Sequence, residues 1–488
     1  MRTRILTFMM MLLVSAPTIA ADKTDEPSLE ALRAHPEVNG ALAIIDAWIE
    51  GRHLFERIPG ISVGIVHDQD LLWTKGYGYS NLETKRPADA DTLYSICSIS
   101  KLFTAIGIMQ LRDQNKLRLD DRVSEQLDWF DIEQTHEGSG PVTIEGLMTH
   151  SSGLPRESDF PYWIGPDFPF PTREEMIERL KSQEMLYPAQ RYFQYSNLGW
   201  SLAGEIIREK SGQEYDSYIR GHILDPLELE NTRTYYPEDL RGEQLAIGYT
   251  GFHRDLSRDP VKPFFTRGIT AAAGFTSSVK DLSSFASWQF RLLENGGEEV
   301  LSANTLREMQ RVHWVDPDWK TTWGLGFAVR RVDDATYVSH GGGCPGYITS
   351  FTMIPDQKIA AVVLTNAGDG PAGDMAVNIL KTIGPALAKA GTASEDEMPD
   401  FSIYEGNYDA RPWGGEVAVR QWGDQLVVID IPGNDLKEAM TRLEYLEENT
   451  FIRLTDNDER REPWVFELGE NGKATRIVSH SHVMSRVE

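Results

Sequence analysis

Three short segments hold side chains able to do chemistry together. Ser98 and Lys101 stand one helical turn apart, ahead of Leu102, Ala105, Ile106 and Met109, whose i, i+3, i+4, i+7 spacing marks a buried helix. A serine hydroxyl becomes a nucleophile when a base takes its proton, and a lysine buried among helices can be that base because desolvation disfavours the ammonium. The helix N-terminus adds positive potential beside Ser98. Taken alone, the pair also reads as a helix cap and a solvated lysine. Tyr195-Ser196-Asn197 precedes an amphipathic stretch, Leu198 to Lys210. A phenol can move a proton if neighbouring cations lower its pKa, and a carboxamide can donate to and accept from a substrate amide. Alone, these residues also read as a turn with Asn197 as a cap. His340-Gly341-Gly342-Gly343-Cys344-Pro345-Gly346 lies between strand-like runs. Gly341, Gly343 and Gly346 satisfy G-x-G-x-x-G, but Pro345 and the β-type run after it stand where a dinucleotide site needs a helix. Glycines on a strand instead let a substrate lie against the backbone, with an N–H toward an oxyanion.

The elements that must carry these segments follow from patterning. Leu29 to Ile49 reads as a helix, and residues 60–66 and 71–78 read as two strands around a turn at His67-Asp68-Gln69-Asp70. A long helical middle follows. Residues 336–339, 347–354 and 359–365 return to strand patterning, and Met375 to Leu387 reads as a closing helix broken at Gly384-Pro385. Strands at both ends with helices between predict an α+β fold, one antiparallel β-sheet flanked by helices whose terminal strands meet. Residues 391–400 are small, acidic and Pro-containing, an expected linker between domains at 21–390 and 401–488. Beyond it, short strands at 417–419, 425–431, 451–454, 464–468 and 477–478, separated by Gly/Asn/Asp turns, predict a small antiparallel β-barrel.

Composition narrows the partners. The chain has 488 residues, 48 of them Lys or Arg and 74 Asp or Glu, a formal charge of −26 that opposes nucleic acid and anionic lipid. Arg2 and Arg4, the apolar run Ile5 to Val14 and Pro17-Thr18-Ile19-Ala20-Ala21 have the order of a secretory signal peptide, expected over 1–20. The run is too short to span a bilayer, and no cysteine follows it to carry a lipid, so the expectation is an exported, periplasmic or extracellular protein with no stable membrane anchor. Its two cysteines, Cys97 and Cys344, permit one intramolecular bridge in an oxidising compartment.

In the order S-x-x-K, Y-x-N, H-x-G, the three segments resemble the serine β-lactamase and penicillin-binding-protein superfamily. Within it the chain is most similar to class C β-lactamases, family-VIII esterases, D-aminopeptidases and LACTB-like serine peptidases, the peptidase S12 group. The resemblance covers residues 30–390 and includes Leu147 to Leu154, similar to that family's L-L-T-H-T-S-G-L. It implies that Ser98 is the acylated nucleophile, that Lys101 and Tyr195 share general-base duty, and that Asn197 holds the substrate amide. The N–H groups of Ser98 and Gly343 would form the oxyanion hole. His340 and Gly341 would occupy strand positions where β-lactamases carry Lys and Thr. No metal or cofactor is required, and the substrate would be a small molecule or short peptide. The implied fold also sets Cys97 beside Cys344, so a disulfide is expected between them. The C-terminal barrel, through Tyr404-x-Gly406-x-Tyr408 and its strand spacing, is similar to lipocalin-like domains that would narrow or roof the pocket.

Lys-to-His and Thr-to-Gly remove a permanent cation and a hydroxyl that grip substrate carboxylates, which favours peptidase or esterase chemistry over β-lactam or D-Ala-D-Ala cleavage. A Ser-His arrangement through His340 lacks the G-x-S-x-G elbow. A binding module that kept the scaffold without catalysis is the alternative of another class. His150 reads as a turn residue. The loop Asp159 to Pro171, with Phe160, Tyr162, Trp163, Phe168 and Phe170 among four prolines, either walls an apolar pocket or packs on the body.

Overall fold

The structure is a computed structural model that describes residues 28–159, 161–391 and 399–487. The expected signal peptide, most of the expected linker and Phe160 lie outside the described residues.

Nine antiparallel strands form the central sheet, in the order Arg86–Pro87, Asp70–Asn81, Gly60–His67, Ile359–Thr365, Tyr347–Ile354, Ala335–Cys344, Ala328–Val332, Thr322–Trp323, Trp314–Val315. The first long strands therefore lie against the last, with Ile61 opposite Thr365 and His67 opposite Ile359. In Ile359–Thr365 every residue is buried, because the sheet is covered on both faces. Ile359, Ala361 and Val363 point to one core; Ala360, Val362 and Leu364 point to the other.

The first core lies under the helices Pro36–Phe55 and Ala372–Ala390. The second helix runs through Pro385 without the expected break. An internal proline costs about 3 kcal/mol, and burial of Ile379, Ile383, Ala386 and Leu387 against the sheet offsets it. The other core packs the sheet against Ser100–Asp113, Asn197–Ser211 and Val279–Asn295. Residues 100–111 of the first of these are all buried, so this helix is shut from water around its circumference for most of its length.

Residues 406–487 include eight strands closed into an antiparallel barrel: Gly406–Asp409, Glu416–Trp422, Gln425–Ile431, Met440–Glu447, Thr450–Leu454, Arg460–Leu468, Ala474–Ser479 and His482–Val487. Its interior is filled by Tyr404, Tyr408, Leu426, Phe451, Phe466 and Ile477 with their neighbours. The Tyr-x-Gly-x-Tyr pattern is explained here. Both tyrosines enter the core, and a Cβ on Gly406 would lie 2.7 Å from the Arg486 guanidinium. The barrel rests on Pro36–Phe55: the Trp48 indole donates to Gly433 O at 2.7 Å, and Ala418, Ile429 and Ile431 join the core beneath that helix. This corrects the expectation that the barrel roofs the pocket. It packs on the helical layer behind the sheet, whereas Ser98 and Lys101 lie on the other side.

Candidate active site

The strand Tyr94–Cys97 leads directly into the Ser98 turn. Cys97 has φ 51°, a left-handed conformation rare for a residue with a Cβ, and it turns the chain from strand to helix. Ser98 is half-buried in this turn, two residues before the helix rather than in it. The neighbouring strand Ala335–Cys344 packs so closely that a Cβ on Gly342 would lie 2.1 Å from Ile96 O. Gly341 and Gly343 differ. A Cβ on either would meet nothing closer than 3.4 Å, and both are exposed. Gly342 is therefore a glycine because of packing, while its two neighbours leave an open strip beside Ser98. His340 to Gly343 belong to one strand, and the turn falls at Pro345-Gly346. A disulfide joins Cys97 to Cys344, with Cα atoms 5.9 Å apart across 247 residues of sequence.

Lys101 is fully buried, and its Nζ lies 3.0 Å from Ser98 Oγ, 2.9 Å from Asn197 Oδ1 and 2.7 Å from Ala272 O. Burial holds its pKa well below the usual lysine value; Glu157 opposes that shift and Arg156 reinforces it. A neutral amine has two N–H bonds and one lone pair. The two carbonyl oxygens can only accept, so they take the N–H bonds and leave the lone pair for the Ser98 hydroxyl.

Tyr195 sits between charges and rings. The Lys101 Nζ and the Arg156 guanidinium lie 4.9 Å and 5.0 Å from its ring centroid. Contrary to the condition set for a phenolate base, burial raises its pKa, and a hydrogen bond with Ser98 and the charge of Arg156 only partly oppose this. Tyr195 is a neutral phenol. His150 stacks on it at 4.1 Å, accepts the Ser196 N–H at Nδ1 and the Gln194 N–H at its carbonyl, and so fixes the chain on both sides of Tyr195. Ser196 caps the following helix, with its hydroxyl accepting from Gly199 N–H. Asn197 is thereby free of capping duty.

His340 is 3% exposed, and burial, then the Lys101 charge, push its pKa down to about 3. Its Nδ1–H donates to Gly341 O at 2.7 Å, which leaves Nε2 as a buried acceptor without a partner among the described residues. The position where a permanent cation was expected to be missing is thus neutral.

The structure brings together Ser98, Lys101, Tyr195, Asn197, His340 and the glycine strip. It also adds Glu157, which no sequence motif marks. The Asn197 Nδ2 donates to Glu157 Oε1 at 2.6 Å, and the Tyr162 hydroxyl donates to Glu157 Oε2. A lone glutamate in a Pro-Arg-Glu-Ser turn carries no periodic signal; only its place three residues after Leu154 of the His150 segment could have drawn notice. The aromatic loop packs: Tyr162 and Phe170 are buried, and Phe264 lies tilted against Phe170.

A mixed helix and sheet fold with a hydroxyl, an amine and a phenol in one cleft defines the class of β-lactamase and transpeptidase-fold hydrolases. A family model described as β-lactamase matches residues 45–382, more than half of the sequence, and the chain belongs to that family. It is 28% identical over 364 residues to β-lactamase-like protein 2 of Dictyostelium discoideum, covering 73% of this chain and 63% of that protein. The chain spans somewhat less than two thirds of the length of the curated relatives it matches. Among solved structures, an octameric penicillin-binding protein homologue from Pyrococcus abyssi superposes with TM-score 0.61 at 26% identity, over 91% of this chain and 99% of that one. EstCE1, a hydrolase with promiscuous acyltransferase activity, superposes with TM-score 0.59 over 72% of this chain and 98% of its own; at 22% identity this likeness concerns the fold.

Proposed function

We propose that the chain is an exported serine hydrolase that cleaves an ester or amide through an acyl-enzyme on Ser98. The observation that carries this reading is the buried Lys101 amine 3.0 Å from the Ser98 hydroxyl, with its other two contacts being carbonyl oxygens. In the acylation step the Lys101 lone pair takes the Ser98 proton as Oγ attacks the substrate carbonyl. The N–H groups of Ser98 and Gly343 receive the oxyanion. The neutral Tyr195 phenol donates its proton to the leaving group and regains one from the Lys101 ammonium, so the site returns to its starting charge. Water then attacks the acyl carbonyl as Lys101 takes its proton, the bond to Ser98 Oγ breaks to free the acid product, and Lys101 returns that proton to Oγ. The second N–H of Asn197 Nδ2 is left for the substrate carbonyl.

His340 and Gly341 favour an uncharged ester or a peptide over a β-lactam, because neither gives a substrate carboxylate a cation or a hydroxyl. Export is supported by the Cys97–Cys344 disulfide and the N-terminal pattern. Among the described residues, no helix is long and apolar enough to cross a membrane.

The test is a substrate panel of short-chain nitrophenyl esters, D- and L-aminoacyl anilides and a chromogenic cephalosporin, run on wild type and Ser98→Ala alongside fluorophosphonate labelling. Ester or anilide turnover and label that both vanish in Ser98→Ala are expected. Wild type that neither turns over a substrate nor takes the label returns the chain to the binding-module reading. A cephalosporin turned over far faster than the rest overturns the substrate preference.

A further inference from the structure

We propose that Glu157 is a positioning residue: it fixes which end of the Asn197 amide faces Lys101, and so aims the Lys101 lone pair at Ser98. This rests on the reading of Ser98 and Lys101 as nucleophile and base. A carboxamide fits its site in either of two orientations, and its neighbours decide between them. At one end stands Glu157 Oε1, 2.6 Å from Nδ2; an ionised carboxylate only accepts, so the nitrogen must lie there. At the other end the oxygen then faces Lys101 Nζ at 2.9 Å and takes one of its N–H bonds. Ala272 O takes the second at 2.7 Å, which directs the lone pair to the Ser98 hydroxyl. With the amide reversed, its N–H would compete for that lone pair.

Glu157 is itself held from outside the Ser98 and Asn197 helices. The Tyr162 hydroxyl donates to Oε2, Gln183 Nε2 donates to the Glu157 carbonyl at 3.0 Å, and Arg156 Nε lies 3.5 Å from Oε1. The chain of command thus runs from the aromatic loop through Glu157 and Asn197 to the amine.

The same carboxylate has an electrostatic signature. The charged and titratable groups acting on or around Lys101 are Glu157, which favours its ammonium, Arg156, which opposes it, and His150, His340, Tyr162 and Tyr195, all held neutral by burial. Removing the Glu157 charge destabilises the ammonium, so the acid limb of the rate profile, where Lys101 must lose its proton, moves to lower pH.

The experiment uses full-length wild type, Glu157→Gln and Ser98→Ala, reading the fluorophosphonate labelling rate against pH and, where a panel ester is turned over, kcat and KM. Glu157→Gln can hold the amide in either orientation. A rate lower by about 10- to 100-fold, an acid limb at lower pH and KM changed far less than kcat are expected. A wild-type rate, or a slower rate with the limb unmoved, overturns the proposal. Should Glu157→Gln not fold, Tyr162→Phe, which frees Oε2 and keeps the carboxylate, carries the test: a rate several-fold lower supports the proposal and an unchanged rate overturns it. Wild type that takes no label on Ser98 defeats the underlying reading instead, which separates the two failures.

Discussion

In the cleft, the side chains shut away from water are polar: Lys101, His150, Asn197 and His340 are each at most 3% exposed. In the barrel, the equally buried positions are Leu426, Leu443, Phe451, Phe466 and Ile477, with Tyr408 satisfied by a 2.7 Å bond to Tyr404 O. Burying polar groups gains little stability even when each finds a partner, whereas each large apolar side chain in the barrel contributes about 1.5–3 kcal/mol. One region keeps a lysine neutral where water would protonate it, and two histidines neutral into acid; the other is a packed body. The barrel interior is filled by these aromatic and aliphatic side chains, and its contacts with Pro36–Phe55 lie on the side of the sheet away from Ser98.

The contrast can be broken most sharply at Ser98. Ser98→Ala is expected to lower turnover by about 10⁴-fold or more with the thermal midpoint nearly unchanged; residual hydrolysis near wild type would remove chemistry from the cleft. In the barrel, Phe451→Ala empties the centre of a cluster whose rings lie 5.1–5.5 Å away. It is expected to cost about 3–5 kcal/mol in denaturant unfolding and to leave kcat of the folded protein unchanged. A parallel fall in kcat would mean that the barrel reaches the cleft after all.

Acid sharpens the same division. His150 and His340 have folded-state pKa values below the unfolded value, so below pH of about 6.5 the unfolded chain takes up protons that the folded chain refuses. Stability is full above that pH and is lost as pH falls toward about 3 for His340, with a slope of about 1.4 kcal/mol per pH unit for each histidine. Unfolding curves from pH 7 to pH 4 measure it, and His340→Gln is expected to remove one histidine's share. The smallest effect is at the join. Trp48→Phe deletes the indole bond to Gly433 O and is expected to cost about 1 kcal/mol, read by the same method, with no change in kcat.

Much of this was visible in one dimension. The sheet's long strands and the buried Ser100–Asp113 helix follow from periodicity, because both are covered by apolar neighbours and say so in their own residues. Strand Met440–Glu447 was not legible: Met, Leu and Glu favour helix, and Leu443 alone in it is buried, so it lacks the alternation of a half-buried strand. The helix continues through Pro385 for the opposite reason: packing outweighs a local breaker.

At the site, the order of three short motifs, through the family they resemble, singled out Ser98, Lys101, Tyr195, Asn197 and the His340 to Gly343 strip and implied the cysteine pair, because functional groups and their order are written in the chain. Tertiary structure alone decided their states. Neutral lysine, neutral tyrosine, the orientation of the Asn197 amide and the side of the sheet on which the barrel sits all depend on desolvation and on partners from distant segments, and Glu157 has no meaning until folding sets its carboxylate 2.6 Å from Asn197.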